Sequence, residues 1–111
     1  MILKQNLLKS LPDAKFAEQF EDIIRTPEVR IERIVSLGQS TPAGQWYDQE
    51  QAEWVMVLQG HAELEFADGQ RLKLAVGDSV NIPAHCRHRV ASTALEQETI
   101  WLAVFYPSSN T

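Results

Sequence analysis

The densest cluster of reactive side chains is His85-Cys86-Arg87-His88. Two histidines three residues apart converge on one point when the chain between them turns tightly. A neutral imidazole can then ligate a metal or carry a proton near neutral pH. Cys86 offers a thiolate ligand or a redox group, but a lone cysteine with no cationic helix end beside it is ordinarily inert. Arg87 and Arg89 could clamp an anion through paired N–H donors. Strand alternation instead turns both outward into salt bridges. Upstream, Tyr47, Asp48, Gln49 and Glu53 supply a phenol, an amide and two carboxylates. The remaining histidine, His61, follows Gly60 and reads as an exposed turn residue.

These residues must be held by strands. From residue 29 onward the sequence is β in character. Val29–Leu37 is rich in β-branched and aliphatic residues, and Ser40–Gly44 is a loop. The runs Glu53–Gln59, Ala62–Phe66, Gln70–Ala75, Ser79–Ile82, His88–Ser92 and Thr99–Tyr106 follow, punctuated by Gly60, Gly69, Gly77 and Pro83. Many short strands with regular turn signals predict a sandwich or barrel. One hairpin is legible in register. A loop at Ala67-Asp68-Gly69 sets Glu65 opposite Arg71, Glu63 opposite Lys73 and Leu64 opposite Leu72.

Residues 13–26 support two readings. Phe16, Phe20, Ile23 and Ile24 make a helical stripe that Asp13 could cap, while Phe20, Asp22 and Ile24 alternate as in a strand. A short N-terminal helix followed by an edge strand satisfies both. Two later strands, Glu53–Gln59 and Thr99–Tyr106, are apolar on both faces, which requires a second covering layer. Residues 1–28, packed on the barrel or on a partner subunit, supply that layer, and a homodimer is expected.

The remaining bounds come from composition. With 111 residues, 44% hydrophobic and 23% charged, the chain fits one globular domain. A net charge of −5 argues against nucleic acid and anionic membranes as partners. No apolar run approaches the roughly 18–20 residues of a membrane span. The N-terminus lacks the layout of a signal peptide. One cysteine forms no internal disulfide, so a cytoplasmic location is expected. Residues 107–111 read as a frayed tail.

At Glu53–Gly60 and Gly77–His88 the sequence resembles the cupin superfamily of small jelly-roll barrels. Glu53 and Gly60 match the end of the first cupin motif. Gly77, Pro83 and His88 match the second, with His85 where glycine is usual. The resemblance implies an all-β double-stranded β-helix of the RmlC-like kind over residues 29–106. Metal-binding cupins begin the first motif with a His-x-His pair three or four residues before the glutamate. Here those positions are Tyr47 and Gln49, or Trp46 and Asp48, and neither register holds a histidine.

What the resemblance leaves is Glu53 and His88. Asp48 or Gln49 could add oxygen and His85 nitrogen. If His88 points inward, so do Val90 and Ser92; if Glu53 does, so do Val55 and Val57. A carboxylate and an imidazole in an apolar interior must be paired or bind a metal. Three outcomes are physically sensible. One is a divalent metal (iron, manganese, nickel or zinc) on Asp48, Glu53, His85 and His88, with no organic cofactor, serving a small polar metabolite. Another is a metal-free acid–base pair with Tyr47 as acid, as in some cupin isomerases. The last is a small-ligand binding module or a structural dimer without chemistry.

Overall fold

The computed structural model describes residues 1–108. The chain forms eight strands: β1 Gln19–Arg25, β2 Arg30–Ser36, β3 Ala52–Gln59, β4 Ala62–Phe66, β5 Arg71–Leu74, β6 Ser79–Ile82, β7 His88–Thr93 and β8 Thr99–Tyr106. They make two antiparallel sheets, β1-β2-β8-β3-β6 and β5-β4-β7. This is the expected all-β jelly roll. Its core lies between the sheets. Ile34, Val55, Val57, Ile82, Trp101 and Phe105 of the larger sheet meet Ala62, Leu64, Phe66 and Leu74 of the smaller. Each such large side chain contributes about 1.5–3 kcal/mol on burial.

The β4–β5 hairpin has the register read from the sequence, with Glu65 opposite Arg71, Glu63 opposite Lys73 and Leu64 opposite Leu72. Arg71 bridges both glutamates, at 2.9 Å to Glu63 and 3.1 Å to Glu65. These pairs fix register and add little stability, because solvent screens them. Ser92 departs from expectation. The β4–β7 ladder shifts between Glu63 and Leu64, so Leu64 pairs with Val90 but Glu63 with Ser92. The extra residue turns Ser92 outward and Thr93 inward.

The N-terminal helix does not form. Among the described residues there is no helix at all, and β1 is the edge strand of the larger sheet. Phe16, which would open the helical stripe, is 95% exposed and packs on nothing. Pairing with the free edge of β2 satisfies the backbone donors instead. Asp13 caps only a turn, accepting from the Lys15 N–H at 2.9 Å.

Residues 7–10 lie against the outer face of this sheet. The buried Arg33 guanidinium donates to the carbonyls of Leu7 (3.1 Å), Lys9 (2.9 Å) and Ser10 (3.2 Å), and to Glu21 (2.7 Å). A charge this deep requires such partners. Val35 and Ile100, on the same face, are fully buried. Further along that face Trp54, Met56, Leu58, Leu102 and Val104 remain part-exposed.

Candidate functional site

Glu53 and His88 enter the interior from opposite sheets. Glu53 sits on β3 between Ile82 and Phe105. His88 opens β7 opposite Phe66. Both are buried. His88 Nε2 lies 3.6 Å from Glu53 Oε1, and Nδ1 lies 3.0 Å from the Cys86 carbonyl oxygen. A carbonyl only accepts, so Nδ1 carries a proton. Nε2 is therefore the nitrogen free to exchange one. Burial works against the charged imidazole, but the Glu53 carboxylate and the Cys86 carbonyl outweigh it and hold the His88 pKa above its ordinary value.

The segment before β3 completes the cavity wall. Tyr47 exchanges two backbone hydrogen bonds with His88, at 2.7 and 3.2 Å. The Gln49 carbonyl accepts from the His85 N–H at 2.8 Å. Alternation then turns Tyr47 and Gln49 inward and Asp48 outward. The Tyr47 and His88 rings lie 5.6 Å apart between centroids. Burial first, then the carboxylates of Glu18 and Glu53, raise the Tyr47 phenol's pKa against the pull of Thr41.

The four expected ligands thus form two separate pairs. Glu53 and His88 line the cavity; Asp48 and His85 do not. The latter are exposed and bonded to each other at 2.7 Å. His85 holds the third position of a turn closed by the Cys86 N–H and the Pro83 carbonyl, with φ of 60°. Glycine is usual there because that left-handed geometry strains any side chain. Among the described residues, no three His, Cys, Asp or Glu side chains converge.

The donor set argues the same way. The cavity offers one imidazole, the Glu53 carboxylate, the Glu18 carboxyl group, which is tied to Ser36 and does not converge with the other two, an amide and a phenol that resists deprotonation. An amide and a neutral phenol are weak partners for iron, manganese, nickel or zinc. These residues do not fit the expected metal.

The cavity measures about 70 Å³ and is otherwise walled by apolar residues including Val55, Leu64, Trp101 and Phe105. A single water needs about 10–15 Å³ on this measure, so a small organic group fits. One wall was not foreseen. Glu18, just before β1, faces the cavity, and Ser36 Oγ donates to it. The Trp101 indole N–H in turn donates to Ser36 Oγ at 3.2 Å. Burial raises the pKa of Glu18, partly offset by the Ser36 hydroxyl. No local motif marks Glu18; only the pairing of β1 with β2 brings it there.

The other candidates lie outside the cavity. Arg89 pairs with Glu65 at 2.7 Å, and His61 with Glu96 at 3.0 Å. Cys86 is part-buried against the core.

Known proteins resemble this chain closely in fold. A structure from Ralstonia eutropha JMP134, named a "putative mannose-6-phosphate isomerase", is 41% identical over 96% of this chain and 100% of its own, with a TM-score of 0.91. A cupin superfamily protein from Desulfitobacterium hafniense superposes at 19% identity and TM-score 0.74, covering 88% of this chain and 84% of its own. An RmlC-like cupin from Desulfovibrio desulfuricans gives 18% and 0.77, covering 98% and 100%. These two share the fold alone. No curated protein matches. The family described as Cupin domain matches residues 33–105, most of the β-structure built above, and the chain belongs to it.

Proposed function

We propose that this cupin binds a small polar metabolite and moves a proton on it without a metal. The observation that carries this reading is the buried His88–Glu53 pair, with Nδ1 committed to a carbonyl and Nε2 facing the cavity. His88 Nε2 is the proton carrier. Glu53 compensates its charge, and Tyr47 is a second proton donor on the same wall. Gln49 orients the ligand. A small hydroxy-carbonyl compound suits this set, because its isomerisation needs a proton taken from one carbon and returned to the next. The 41% identical relative carries the name of an isomerase, which supports the reaction class, although the substrate in that name is a phosphate ester.

The part-exposed apolar face around Trp54, Met56 and Leu102 supports a second copy of the chain as partner, burying surface that one barrel leaves wet.

The test is proton exchange in D₂O, followed by NMR, with a panel of aldoses and ketoses and a chelator present. Deuterium should enter beside the carbonyl, and His88→Gln should slow this by about a hundredfold. No incorporation across the panel, or loss of exchange on chelation, would overturn the proposal.

A further inference from the structure

Beside the cavity runs a second hollow, a polar groove of about 190 Å³ lined by Ser40, Thr41, Gln45 and Trp46. Glu18 and Tyr47 line both spaces. Hydroxyls, an amide and an indole N–H are hydrogen-bonding partners for ligand hydroxyls, and the aromatic faces suit C–H surfaces.

Among the described residues no lysine or arginine lines either space. Among the described residues two guanidiniums touch their walls; each is paired with a glutamate, while its Nε is buried without a hydrogen-bond partner. Arg89 is held by Glu65 at 2.7 Å and the Thr41 carbonyl at 2.9 Å. Arg30 is held by Glu32 at 2.8 Å and lies over the Phe105 ring at 4.0 Å. Among the described residues that line the two spaces, the one basic group is His88, already faced by Glu53. A phosphate would stand beside two carboxyl groups with no free cationic partner to offset its charge.

From this geometry we infer that the ligand is an uncharged, hydroxyl-bearing molecule rather than a phosphate ester, its reacting end against His88 and its hydroxylated tail in the Ser40–Trp46 groove. The inference deepens the proposed function and rests on the same cavity. Glu18 is the specificity residue at the junction. As carboxylate it accepts from a ligand hydroxyl and as carboxylic acid it donates to one. As the carboxylate it repels a phosphate.

The experiment uses the full chain, isotope-labelled, with mannose, glucose and glycerol as probes, each beside its monophosphate ester. At least one neutral probe should shift the amides of residues 40–47 and of Glu18. It should bind at least about tenfold more tightly than its ester. Glu18→Gln should narrow that gap. An ester binding as tightly as its parent, or no neutral probe shifting those amides, overturns the inference. Neutral binding without deuterium exchange instead overturns the proton-transfer chemistry and leaves this specificity standing.

Discussion

His88 Nε2 faces Glu53 Oε1 across 3.6 Å while Nδ1 of the same ring is tied to the Cys86 carbonyl at 3.0 Å. That separation exceeds a hydrogen bond. The two groups are held apart, each by its own sheet, and a ligand hydroxyl on the cavity side can bridge them. The ring cannot turn away without leaving its Nδ1–H unpaired in the interior.

The pair makes stability depend on pH. Above the ordinary histidine value of 6.5, the unfolded chain loses the His88 proton while the folded chain, its pKa raised, keeps it. Stability is therefore fully present below that value and falls as pH rises through the folded pKa. Urea unfolding across this range should show the decline in the parent and a flat profile in His88→Gln. NMR titration should show a lower His88 midpoint in Glu53→Gln; an unmoved midpoint would remove Glu53 as the cause.

The two residues should also be energetically coupled. Breaking a buried ion pair by removing one partner costs on the order of 3 kcal/mol. Glu53→Gln and His88→Gln should each approach that cost at mildly acidic pH. The double variant should cost clearly less than their sum. Additive losses in a denaturation cycle would mean that the pair is not coupled.

Asp48 and His85 should be dispensable. The left-handed His85 backbone costs about 1–2 kcal/mol, and its exposed pair with Asp48 returns about 0–1 kcal/mol. His85→Gly should leave stability unchanged or slightly raised, with ligand binding intact. Elemental analysis provides the companion check. Metal bound stoichiometrically by the parent and lost on either His85→Ala or His88→Ala would restore the metal reading.

Two glycines separate conformation from packing. Gly60 has φ of 81°, and a Cβ there would meet Thr99 Cα at 2.9 Å. Gly69 has φ of 98° with open space around it. Gly69→Ala should cost about 1–2 kcal/mol, the conformational penalty alone. Gly60→Ala should cost distinctly more, because β3 and β8 must part at their bulge. Equal midpoints on thermal unfolding would contradict that contact.

Assembly is checked by light scattering. A mass near twice 12.6 kDa is expected for the parent, and about half that mass for Trp54→Glu. A monomeric parent at micromolar concentration would remove the dimer.

The sequence by itself determined the fold and the burial of Glu53 and His88. Strand period, turn glycines and the Gly77–His88 motif act locally, and burial follows from alternation. The β4–β5 register was legible because charge and hydrophobicity agree there on opposite faces. Sequence spacing left the inward register of Tyr47–Gln49 open, since a loop has no fixed period. Backbone pairing of Tyr47 with His88 decided it, separating Asp48 and His85 from the site. The sequence left residues 13–26 between a helix and an edge strand, and the tertiary structure decided for the strand, because the free backbone groups that pair with it belong to β2. The same pairing carried Glu18 to the cavity wall, a position that depends on contacts across the barrel rather than on its neighbours in the chain.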